Sequence, residues 1–116
     1  MEQIVFELYL LEEARNFIRS LPKETRGKIG YNIRRVQKGE RDNELFKKLD
    51  GTEIWEFRTI YNKTCFRLLS FWDKDFKTLV VATHGIVKKT QKTPQKEITK
   101  AEEIRRKYFE NKNKKL

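Results

Sequence analysis

From Gln3 to Leu10 apolar and polar positions alternate: Ile4, Phe6, Leu8 and Leu10 fall on one side, and Gln3, Val5, Glu7 and Tyr9 on the other. A period of two is that of a strand with one face turned to a core. At Glu12 the period changes. Ala14, Phe17, Ile18 and Leu21 recur at i, i+3, i+4 and i+7, which predicts a helix over Glu12–Leu21. Pro22 stops it, because the residue before a proline is driven out of the helical region. A second helical pattern runs over Lys23–Lys38, with Ile29, Ile33 and Val36 on one side and Gly39 as its stop. The two helices read as an antiparallel hairpin whose shared stripe covers a sheet, leaving Arg34, Arg35 and Lys38 on the solvated side.

Glu40–Asp50 is polar, with Leu45, Phe46 and Leu49 as anchors, so that Lys47 and Lys48 project from a fixed base. Asp50-Gly51 is a turn signal. Three apolar segments follow, Ile54–Tyr61, Thr64–Trp72 and Phe76–Thr83, separated by Asn62-Lys63 and by Asp73-Lys74-Asp75. They predict a three-stranded antiparallel meander. Thr93 as N-cap and Pro94 at the first helical position open a last helix. Its stripe is Ile98, Ala101, Ile104 and Tyr108, and the chain is expected to fray from about Glu110. The expected fold is α+β, one domain over residues 1–116: N-terminal strand, helical hairpin, three-stranded antiparallel meander and C-terminal helix.

The meander allows a deduction about charge. If Asn62-Lys63 is a two-residue turn, Tyr61 pairs with Thr64 and Arg58 lies directly opposite Arg67. Opposed like charges destabilise a strand pair by up to ~1 kcal/mol. An anion site has a use for that pair, because two guanidiniums can fork onto one phosphate. Glu56 shares the face and offers the other reading, simple neutralisation. The opposite face carries Trp55, Phe57, Thr59, Phe66, Leu68 and Ser70 and is the better core face. Trp55 and Trp72 accordingly read as core rather than as platforms for stacked bases.

Charge then narrows the partners. Of 116 residues 27 are basic and 17 acidic, a formal charge of +10. Most of the surplus lies in Lys88–Leu116, with 11 basic and 4 acidic residues. Such a distribution favours a polyanionic partner. The single cysteine, Cys65, permits no internal disulfide, and one histidine makes a zinc site unexpected. No apolar run reaches the ~20 residues of a membrane span, and no signal peptide is seen, so a cytoplasmic protein with no membrane partner is expected.

Lys47-Lys48-Leu49-Asp50-Gly51, Trp55-Glu56-Phe57-Arg58, Phe66-Arg67-Leu68-Leu69 and the exit from His84-Gly85 through Lys88-Lys89, Lys92-Thr93 and Pro94 stand in one order over nearly the whole chain. This resembles the RelE/ParE toxin superfamily, within it the phage-related HigB-type branch. The resemblance implies a RelE-like fold and the toxin of a type II toxin–antitoxin system. It further implies an mRNA endonuclease working on the ribosome without a cofactor, held inactive by an antitoxin of helix-turn-helix type. Arg67 matches the strand arginine that contacts the scissile phosphate in RelE-like members. Lys47 and Lys48 match the basic position ahead of the meander, and Lys88, Lys89 and Lys92 the basic residues after the last strand. A counterpart of the tyrosine that some RelE members use is not evident.

RNA supplies its own nucleophile, the 2′-hydroxyl. A nuclease need only remove that proton, neutralise the phosphate and protonate the leaving 5′-oxygen, giving a 2′,3′-cyclic phosphate. Arg67 and Arg58 suit the clamp. His84 is the first proton-transfer candidate by its ordinary pKa, unless it is structural at a strand end. Lys47 and Lys48 are the other candidates, each depressing the other's pKa. Lys88, Lys89, Lys92, Lys96 and Lys100, with Arg105, Arg106 and Lys107, are expected to meet RNA or the ribosome. A ParE-like toxin that inhibits DNA gyrase by protein contact is the alternative, and a plain RNA-binding module a third.

Overall fold

The computed structural model describes residues 4–88 and 92–114. Five strands and three helices follow one another as β1 (Glu7–Leu10), α1 (Glu12–Arg19), α2 (Lys23–Gln37), β2 (Phe46–Lys48), β3 (Trp55–Tyr61), β4 (Thr64–Trp72), β5 (Leu79–Lys88) and α3 (Gln95–Lys114). The strands make one sheet in the order β1-β5-β4-β3-β2. The predicted meander is its centre. β1 joins one edge parallel to β5, and β2 joins the other antiparallel to β3. β2 carries no readable pattern, being three residues of which two are lysine. β1 starts at Glu7 rather than Gln3, because the Val5 N–H bonds to the Gln37 carbonyl at the end of α2 (2.7 Å) instead of to the sheet.

The β3–β4 register is the expected one. Asn62 and Lys63 both have positive φ (50° and 60°), Tyr61 pairs with Thr64, and Arg58 faces Arg67. β5 departs from expectation. It runs five residues past Thr83, and between Leu69 and Ser70 its register against β4 slips by one, Ser70 pairing with Ala82 but Leu69 with His84. Thr83 is the extra residue of this bulge. Because side chains alternate, one extra residue moves everything after it to the other face. His84 and Ile86 thereby join Leu69 and Arg67 on one face, and Gly85 turns to the other. There a methyl on Gly85 would lie 2.0 Å from the Phe17 ring, so glycine is what lets α1 reach the sheet.

Helices cover both faces. α1 and α2 pack over Phe57, Leu68, Val80 and Ala82, with Phe6, Ala14 and Val36 completing that core. Trp55 and Trp72 belong to its half-buried rim, Trp55 stacking on Phe46 (4.8 Å) and Trp72 meeting Phe6 edge-on (5.2 Å). α3 packs through Ala101 and Phe109 over Leu69, Phe71, Val81, Leu49 and Ile54. The helix continues past Glu110 to Lys114. Lys112 ties its last turns to Asp73 (2.8 Å) and Asp75 (3.0 Å), and the Tyr108 hydroxyl donates to Asp73 (2.6 Å).

Candidate functional site

The face under α3 carries a polar belt across the middle of the sheet. Lys47 on β2 stands opposite Glu56 on β3, Glu56 opposite Leu69, and Leu69 opposite His84. In the next row lie Arg58, Arg67 and Ile86, then Ile60, Cys65 and Lys88 at the hairpin end. A belt of this composition in the plane of a sheet has to be balanced internally, because a buried charge without a partner is expensive.

Glu56 does the balancing. It is fully buried, and its Oε1 sits 3.5 Å from Arg58 Nε and 3.6 Å from Arg67 Nη1 without a hydrogen bond to either. Thr93, just ahead of α3, reaches down onto the same cluster. It accepts a bond from Arg67 Nη1 (2.6 Å) and donates its own proton to Glu56 Oε2. The expected N-cap residue thus spends its hydroxyl on the sheet. Arg67 is 1% exposed and Arg58's side chain 13%, its outer end also 3.6 Å from Glu44. The opposed arginines share a carboxylate, and only Arg58 faces outward.

His84 is likewise covered. It is 2% exposed, its Nδ1 lies 2.9 Å from the Thr83 hydroxyl, and its Nε2 lies 3.1 Å from Glu97 on the first turn of α3. Against a carboxylate, Nε2 carries the ring proton, and the single Thr83 hydroxyl proton is shared between Nδ1 and the Leu69 carbonyl (3.2 Å). Burial pushes the imidazole below its ordinary value, outweighing the pull of Glu97, so the ring is neutral at pH 7. The expectation of a histidine in an exit loop is corrected: it stands inside β5, and the bulge aims it under α3.

The two lysines of β2 part company. Lys47 is exposed on the belt face, beside Glu56. Lys48 pairs with Trp55 on the other face and reaches Glu53 (3.8 Å). They form no side-by-side pair, and the expectation of two neighbouring cations is corrected. Of the other expected contacts, Lys92 and Lys96 are exposed, while Lys100 is bound to Glu13 of α1 (2.6 Å). Lys88 ends β5, and Lys89 lies outside the described residues. Sequence reasoning missed Thr93 and Glu97 as parts of the cluster. Their spacing of four at a helix start, which puts both over the same strands, was the available signal.

Comparison with known proteins agrees with this architecture. The profile of the family described as phage derived protein Gp49-like matches residues 16–106. The chain therefore belongs to that family. Its fold is that of the RelE toxins, as the motif resemblance implied. A chain of the intact E. coli RelBE toxin–antitoxin complex superposes with a TM-score of 0.53 at 19% identity, over 75% of this chain and 99% of that one. A mutant of the E. coli toxin RelE in the free state superposes with a TM-score of 0.55 at 19% identity, over 72% and 82%. A search of the curated proteins finds no match. No helix among the described residues is long and apolar enough to cross a membrane.

Proposed function

We propose that this chain is the toxin of a type II toxin–antitoxin system and acts as a ribosome-dependent mRNA endoribonuclease. The observation that carries the reading is the belt itself. A fold similar to that of RelE holds two arginines directly opposed on one sheet face and keeps them so with a shared buried carboxylate, where a merely stable sheet would carry neutral residues. Arg58 and Lys47, at the open end of the belt, meet the scissile phosphate. Arg67 is a positioning residue that fixes Glu56 and, through it, the Arg58 guanidinium. The 2′-hydroxyl proton goes to Nε2 of His84 once Glu97 moves aside and the ring proton passes to Nδ1 against the Thr83 hydroxyl, and the Lys47 ammonium protonates the leaving 5′-oxygen. Exposed Lys92 and Lys96 extend the cationic surface beyond β5. The natural inhibitor is an antitoxin, a reading supported by the toxin–antitoxin complex in which the similar chain sits, and the motif resemblance implies one of helix-turn-helix type.

The burial of Arg67 and His84 favours a second reading, a ParE-like toxin that inhibits DNA gyrase through protein contact and needs no open belt. A cleavage assay separates the two. Wild type, Lys47→Ala and Arg58→Gln are incubated with mRNA, with and without programmed ribosomes. Cleavage only on ribosomes, reduced on the order of 100-fold in either variant, is expected. Inhibition of gyrase supercoiling, with intact mRNA in every lane, would move the assignment to the second reading.

A further inference from the structure

Helix α2 turns Thr25, Ile29, Asn32 and Val36 into the core, and Asn32 bonds across to Thr59 of β3 (3.2 Å). Its outer side is unusual. Lys23, Gly27, Gly30 and Arg34 follow one another at i, i+4, i+7 and i+11 along a single exposed line, flanked by exposed Arg26. Lys23, Arg26 and Arg34 make no ion pair among the described residues, and the helix's one carboxylate, Glu24, is taken by the Tyr61 hydroxyl (3.3 Å). The two glycines have no packing reason to be there. A Cβ at either position would meet nothing within 4 Å, and glycine is among the poorest helix formers. The line is therefore cationic at both ends, ~16 Å apart at the rise of an α-helix, with bare backbone between.

We infer that this face of α2 docks into the minor groove of A-form RNA. That groove is wide and shallow and presents 2′-hydroxyls between two phosphate strands. Bare helix backbone at Gly27 and Gly30 allows close approach to the hydroxyls, while Lys23 and Arg26 at one end and Arg34 at the other reach the flanking phosphates. An acidic protein surface would satisfy the charges too, and is a separate outcome of the test below. The inference rests on the RNA reading above for its class of partner alone: α2 lies across the sheet from the belt, so docking and cleavage are separable. A molecule working in a cleft of folded RNA would hold substrate on one face and ribosomal RNA on the other.

The test uses the full chain and two probes, a 20-base-pair RNA duplex and the DNA duplex of the same sequence, followed by fluorescence anisotropy from about 50 to 300 mM salt. Wild type is expected to prefer the RNA. Lys23→Glu/Arg26→Glu/Arg34→Glu weakens RNA binding at least tenfold and flattens the log–log salt slope by about 2 to 3. Gly27→Ala/Gly30→Ala raises the melting temperature yet binds RNA at least about threefold more weakly, a split that lost folding cannot produce. Equal affinity for DNA, undiminished binding by the alanine variant, or loss of antitoxin rather than RNA binding in the charge-reversed variant would each overturn the inference. Duplex binding through α2 by a protein that cleaves nothing would sink the nuclease alone. Full ribosome-dependent cleavage by the charge-reversed variant would sink the docking alone.

Discussion

Among single residues, Arg67 shows how a charge can be built into a fold, buried against Glu56 and Thr93. Removing it leaves Glu56 buried beside half of its compensation, a kind of change that costs about 3–5 kcal/mol. Arg67→Ala is expected to lower the unfolding free energy from urea titration by that much, whereas Lys47→Ala, on an exposed edge strand, changes it by less than about 0.5 kcal/mol. Arg67→Ala would therefore mix a loss of folding with any role at the site, and Lys47 and Arg58 are the cleaner probes. The Arg58–Arg67 opposition was legible in the sequence because hairpin arithmetic follows from two turn residues. The depth of Arg67 was not, since it depends on Thr93, which descends from a segment 26 residues away. Gly85 is a second sensitive point. Gly85→Ala drives a methyl into the Phe17 ring, and a loss of about 1–3 kcal/mol in the same measurement is expected.

At the scale of elements, α3 is held at both ends. Near its start, Thr93 and Glu97 sit on the belt; near its end, Tyr108 and Lys112 hold Asp73. Lys112, Tyr108 and two backbone N–H groups stabilise the Asp73 carboxylate against its burial and bring its pKa down from 3.8 to about 2. A depressed carboxylate contributes stability that is complete above its unfolded value and is lost as pH falls through the folded one. The window is thus pH 4 to 2, and the contribution about 2 kcal/mol. Asp73→Asn should lose that amount at pH 7 and almost nothing near pH 2, as measured by urea unfolding across pH. Histidine 84 adds a step in the same direction. Its folded pKa lies below 6.5, so its contribution is present above pH 6.5 and declines as the pH drops below that. Amide exchange in α3 should therefore quicken on acidification before the sheet itself melts. The helix was readable from its stripe and from Thr93-Pro94. Its persistence past Glu110 was not, because the partners that hold it there, Asp73 and Asp75, belong to a turn between two strands.

For the whole molecule, the sheet's centre and the α1–α2 hairpin were plain in the sequence, since each rests on a local period. What escaped was non-local. The strand β2 forms only because β3 offers an edge, and the bulge at Thr83 exists only in relation to β4. Placement of His84 inherits both uncertainties, because a single extra residue decides which face it occupies. The overall charge makes its own prediction. With a formal charge of +10, ribosome association should weaken steeply between about 50 and 200 mM salt, measured by sedimentation. Association indifferent to salt would mean that the cationic surface is not what the ribosome meets.

The parallel edge of the sheet sets a timetable. During synthesis β1 and the helical hairpin emerge first, yet β1 has no partner until β5 follows roughly seventy residues later, a separation that delays pairing. The hairpin can collapse early on local contacts, but it has no sheet to cover until the meander arrives. α3 comes after β5 in the chain, so the belt of charges is the last part of the sheet to receive its cover.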